Sequence, residues 1–115
     1  MPSAPLASQD CPLDLDHLRR MTLGEKELER EVLEMFLKQT SRLVAALADR
    51  PAEAATLLHT LKGSARAIGA FRVADAAGTM EEAARQGHDT APALATLTEA
   101  AAEARAAIEP LLRRP

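Results

Sequence analysis

Apolar residues recur at spacings of three and four along most of this chain, the period of amphipathic helices. Leu28, Val32, Met35, Phe36, Leu43, Val44 and Leu47 form one wide stripe and predict a long helix ending near Ala48. Ala54, Leu57, Leu58, Leu61, Ala65 and Ile68 mark a second, over about Pro51 to Ile68. Val73, Ala76, Ala77, Met80 and Ala84 mark a third, over about Arg72 to Gln86. Leu94, Leu97, Ala101, Ala104, Ile108 and Leu111 give the last long helix, from about Thr90 onwards, a coiled-coil-like seam. A shorter helix, Leu13 to Met21, carries Leu15 and Leu18, with Asp14 or Asp16 near its start.

The intervening residues read as boundaries. Thr22-Leu23-Gly24-Glu25 has the form of a capping box that opens the first long helix. Asp49-Arg50-Pro51 reads as a stop followed by a new start, with Asp as N-cap and proline in the first turn. Gly69 fits a left-handed C-terminal position, Gly87-His88-Asp89 a turn, and Pro110 an end or kink. Short links between long helices make neighbours antiparallel. The expected fold is all-α: an up-and-down antiparallel four-helix bundle over residues 13–113, with a short extra N-terminal helix and a flexible lead over residues 1–12.

Composition supports an all-α core and narrows the partners. The chain has 115 residues, 47% hydrophobic and only 2% aromatic, so packing falls to aliphatic residues and alanine. A formal net charge of −3 without a basic stripe disfavours nucleic acid. No apolar run approaches the ~20 residues of a bilayer span, and no signal-peptide pattern opens the chain. The single cysteine, Cys11, cannot form an internal disulfide. These features place the protein in the cytoplasm, away from membranes.

The candidate chemistry lies in His59-Thr60-Leu61-Lys62-Gly63. On a helix, His59, Lys62, Gly63 and Arg66 share roughly a 100° arc, opposite the apolar arc. His59 therefore points away from the core, with cations beside it and a missing side chain above it. Mid-helix glycine costs roughly 1 kcal/mol against alanine, and a purely structural bundle leaves Gly63 unexplained. Ala52, Ala55 and Thr56 keep the same face bare, so another protein's active site can approach. Lys62 and Arg66 disfavour a protonated ring and leave a neutral nitrogen to attack phosphorus. A phosphorylated ring would carry a charge of about −2, by analogy with other phosphoresidues, which Lys62 can offset.

Competing readings are weaker. A bundle metal site needs ligands one turn from His59, and Ala55, Thr56, Lys62 and Gly63 supply none. Acid–base catalysis needs an orienting carboxylate, a cleft and a substrate loop, and no such motif stands out. His17 and His88 have no constellation around them and read as plain surface. With neither cofactor nor metal of its own, such a protein relies on a partner to bring Mg²⁺ and a carboxylate.

At these residues the chain resembles the histidine-containing phosphotransfer (HPt) family of multistep phosphorelays, whose pattern is His-x-x-Lys-Gly with a glycine ten residues after the histidine. Here that pattern is His59-Thr-Leu-Lys62-Gly63 followed by Gly69. The resemblance extends over roughly Leu13 to Leu112, and Phe36 matches a phenylalanine common on the long helix. It implies that His59 is phosphorylated, that Lys62 supports the phosphoryl group, that Gly63 gives clearance and that Gly69 makes the turn. Glu81 and Arg85 fall where relatives place polar residues facing the site, although Glu81 departs from the glutamine of some relatives. Arg85 is a candidate phosphate support, and an Arg85–Glu81 helical pair is the plainer reading.

The implied partners are response-regulator receiver domains and a sensor or hybrid histidine kinase. Docking is expected around Ala52, Ala55 and Thr56, with apolar help from Leu15 or Leu18. The dimerisation helices of sensor kinases also carry a phosphorylatable histidine, but an acidic residue usually follows it there. Thr60 stands in that place here. A monomeric transfer module without a catalytic site of its own is the better match.

Overall fold

The computed structural model describes residues 11–49 and 51–114. All regular structure among them is helical: α1 Leu15–Met21, α2 Lys26–Ala48, α3 Ala54–Ile68, α4 Phe71–Arg85 and α5 Ala91–Arg113. α2 packs on α3 and α5, and α4 packs on the same two, which closes a four-helix bundle; α1 lies against α3. No helix among the described residues is long and apolar enough to cross a membrane.

Complementary stripes form the core. Leu33, Phe36, Leu43 and Leu47 of α2 meet Leu58, Leu61, Ala65 and Ile68 of α3, Val73, Ala77 and Met80 of α4, and Leu97, Ala104 and Ile108 of α5. Ala74 and Ala77 are fully buried on α4 and let α3 and α4 pack closely. The inward face of α2 is rotated from the expected one. Leu33 and Leu37 point in, whereas Met35 is 68% exposed and Leu28 is also exposed.

Gly69 ends α3 in the left-handed region at φ 90°, as its position predicts. Its carbonyl accepts the amide of Asp14 at 2.9 Å. A Cβ at Gly69 would lie 2.7 Å from the Asp14 carbonyl oxygen, so only glycine permits this approach. Asp14 also caps α1 by accepting the His17 amide at 3.0 Å, and the His17 ring meets Phe71 edge-on at 5.1 Å. The short helix is thus fastened to the corner between α3 and α4.

Several boundaries differ from the sequence expectation. Thr22 caps the end of α1 instead of opening α2: its buried hydroxyl donates to the Leu18 carbonyl at 2.9 Å. Glu25 occupies the N-cap of α2 and makes no side-chain cap bond. The reason is the backbone of the link, because Leu23 and Gly24 both take positive φ and separate Thr22 from α2. Asp49 closes α2, and α3 begins at Ala54 after a turn in which the Ala54 amide reaches the Pro51 carbonyl. Arg50 lies outside the described residues. Pro110 lies inside α5 and does not end it, because the helix continues to Arg113; Pro110 is exposed, so the hydrogen bond it cannot make lies on the solvent side. Of the 1–12 lead, residues 1–10 lie outside the described residues, while Cys11 and Pro12 are half-buried.

Candidate functional site

His59 stands on the outer face of α3, its side chain 72% exposed. The helix register explains this orientation, since Leu58 and Leu61 on either side are sealed in the core. Gly63, one turn on, is exposed, and a Cβ placed there meets nothing within 4 Å. The glycine is therefore not required for packing inside this chain.

Beneath His59 lies a carboxylate that the heptad-like pattern of α4 should have exposed as an anomaly. Glu81 shares the inward stripe of Val73, Ala74, Ala77 and Met80, and it is only 2% exposed. Its Oε1 accepts from Lys62 Nζ at 2.8 Å and its Oε2 from Arg85 Nη2 at 2.7 Å. His59 Nδ1 lies 3.6 Å from the same Oε2. This distance is too long for a hydrogen bond, so Glu81 acts on the ring through its charge. The Lys62 hydrogen bond, helped by the charges of Arg85, Lys62 and His59, holds the Glu81 carboxyl below its ordinary value against the opposing effect of burial. Glu81 is an anion at neutral pH.

That anion sets the chemistry available to the imidazole. A carboxylate facing Nδ1 favours the tautomer with its proton on Nδ1. In that tautomer the lone pair is on Nε2. An exposed ring with a directed tautomer can act as a nucleophile towards an electrophile brought from outside.

The other sequence-predicted residues divide into two groups. Lys62 and Arg85 join the His59–Glu81 cluster. Lys62 is only 22% exposed and is ion-paired, so it is not the free surface cation that the sequence suggests. Arg66 is exposed and lies outside the cluster, lining with Lys62 a groove beside Gly78 and Thr79 of α4. Ala52 and Thr56 are exposed near His59 in sequence, with Ala55 half-buried; Ala52 precedes α3 instead of belonging to it. Leu15 is half-buried against the core. Leu18 is fully buried, which removes it from any docking surface: α1 turns that side chain inward as it packs on α3.

Sequence reasoning placed Glu81 with Arg85 where relatives have polar residues facing the site, and weighed an Arg85–Glu81 helical pair against a functional role, but not its burial. The signal that could have located it is its register, because it falls four residues after Ala77 on the apolar stripe. An acid at such a position needs cationic partners, and Lys62 and Arg85 are the ones α3 and α4 supply.

The Hpt domain model matches residues 31–107, which include all of α3 and α4 and most of α2 and α5. No curated protein matches the chain, and no solved structure does. With His59 exposed on the matched region and the matched helices forming one bundle, this chain belongs to the Hpt domain family, whose members carry phosphoryl groups in phosphorelays.

Proposed function

We propose that this chain accepts a phosphoryl group on Nε2 of His59 from a receiver-domain aspartyl phosphate or a hybrid kinase and passes it to the receiver domain of a response regulator. The observation that carries this reading is the pairing of an exposed His59 with a buried, ionised Glu81 facing its Nδ1. The Nε2 lone pair forms the N–P bond while the P–O bond to the donor carboxylate breaks, and that carboxylate leaves with the electron pair. No proton must depart, because the ring keeps its proton on Nδ1 and becomes formally cationic. Glu81 faces that charge. In the return step a receiver aspartate attacks phosphorus, and Nε2 leaves as neutral imidazole.

Lys62 has three N–H bonds and donates one to Glu81, so two remain for a phosphoryl oxygen. Arg85 anchors the other carboxylate oxygen, and Arg66 adds positive potential along the groove. Gly63 gives the receiver clearance over His59. The receiver brings the Mg²⁺ and the reacting carboxylate, so the chain acts as a monomeric cytoplasmic carrier with no cofactor of its own.

Incubation with a phosphorylated receiver domain is expected to label the wild-type chain with an acid-labile, base-stable phosphate. His59→Gln is expected to abolish that label and keep its helical signal, since the side chain lies outside the core. ATP and Mg²⁺ without a partner are expected to label neither protein. Undiminished label on His59→Gln contradicts the assignment.

A further inference from the structure

At the end of the bundle where α1, α2 and α5 meet, Arg19, Lys26, Arg30 and Arg114 line one pocket of about 260 Å³. None of these four cations forms an ion pair with a carboxylate among the described residues. Among the described residues, Glu29 is the only acid lining the pocket. The chain as a whole is acidic, with 17 carboxylate residues against 14 lysines and arginines. Four cations around one concavity, without a carboxylate ion pair among the described residues, are therefore not a by-product of basic composition. Glu29 offsets part of their mutual repulsion, and a bound anion would offset the rest.

The pocket also has a fixed element. Arg30 Nη1 donates to the Arg114 carbonyl at 3.0 Å and so ties the first turns of α2 to the end of α5. Its remaining guanidinium N–H groups keep their donor capacity, in a planar arrangement suited to a tetrahedral oxyanion. Gly24, at φ 73°, brings backbone without a side chain to the same wall. The volume suits a phosphate group and is small for a nucleotide or a folded partner.

We propose that this pocket is a binding site for a phosphate dianion, either free inorganic phosphate or the phosphate of a small phosphomonoester. It lies apart from His59, which projects from α3 beside α4, so its occupancy does not depend on the phosphotransfer reading.

The test is a titration of the full-length ¹⁵N-labelled chain with inorganic phosphate and, separately, glycerol 3-phosphate, at constant ionic strength. Saturable shifts of the Gly24, Lys26 and Arg30 signals are expected with at least one of the two. The tighter ligand identifies the source of the phosphate. Arg30→Gln is expected to weaken binding about tenfold through loss of a charge-assisted bond. Lys26→Gln, which leaves the Arg30–Arg114 link intact, should weaken it in the same direction, while His59→Gln should leave it unchanged. Non-saturable shifts, or equal shifts at Lys38 and Arg42 on another face, overturn the proposal by showing general ion screening. Binding indifferent to both Arg30→Gln and Lys26→Gln overturns it as well.

Discussion

Polar side chains bridge the α2–α5, α4–α5 and α3–α4 seams of the bundle, and the first and last of these are built differently. Between α2 and α5, Arg105 Nη2 donates to Ser41 Oγ at 2.6 Å, with Glu109 3.7 Å from Nη1. All of these groups remain partly in water. Between α3 and α4, Glu81 is withdrawn from water and held by Lys62 and Arg85. The α2–α5 seam shows that two helices of this bundle can close on each other without a buried charge. Removing a carboxylate from water costs several kcal/mol, roughly, before its partners compensate. Its presence beneath His59, and not at the exposed α2–α5 bridge, ties it to the imidazole more than to the closing of the fold.

The largest effect is expected from Lys62→Met, which leaves buried Glu81 with Arg85 alone. A loss of about 2 kcal/mol in urea unfolding is expected, less than for a fully unpaired buried charge because Arg85 remains. Transfer to His59 should fall by about tenfold or more with the loss of a preorganised cation. An unchanged unfolding midpoint would show that the cation contributes nothing to the buried pair.

Acidification gives a second measure of the same seam. The Glu81 carboxyl lies below the ordinary value of 4.5 in the folded chain. Its ionisation therefore stabilises the fold above that value, and the contribution disappears as pH falls through the folded pKa. The stability difference between wild type and Glu81→Gln is expected to be flat from neutral pH down to about 4.5 and to shift against the wild type below it. A difference that moves in the wild type's favour on acidification contradicts the ion-pair description.

Gly63→Gln should gain about 0.5–1 kcal/mol, because helix propensity rises and the added atoms meet open space. Transfer from a receiver should nevertheless slow. Thermal melts and transfer rates on one preparation separate these effects, and a less stable Gly63→Gln protein would undo the clearance argument. The smallest change belongs to the comparison seam. Arg105→Ala is expected to alter stability by less than about 1 kcal/mol and to leave transfer untouched. A transfer defect there would erase the distinction between the two seams.

Much of the bundle was legible in the spacing of apolar residues, because each long helix buries one continuous face. The His59-Lys62-Gly63 face and the left-handed Gly69 were legible for the same local reason. What depended on an unusual link backbone or on contacts distant in sequence was not. Thr22 followed by Glu25 has the composition of a capping box, yet the positive φ of Leu23 and Gly24 assigns its hydroxyl to α1. On a helix as short as α1, two leucines do not reveal which one turns inward, and packing against α3 selects Leu18. Glu81 is the most instructive case. Its register was inward and its chemistry outward, and only the approach of α3, bringing Lys62, resolves that conflict.

The central claim is that Glu81 keeps the proton of His59 on Nδ1 so that Nε2 takes the phosphoryl group. A long-range ¹H–¹⁵N correlation spectrum of the His59 ring, recorded near neutral pH before and after transfer from a phosphorylated receiver domain, tests it directly. The expected spectra show the Nδ1–H tautomer as the dominant neutral form at rest and phosphorus bonded to Nε2 after transfer. Phosphorus on Nδ1, or phosphorylation at His17 or His88 with His59 unmodified, would contradict the account.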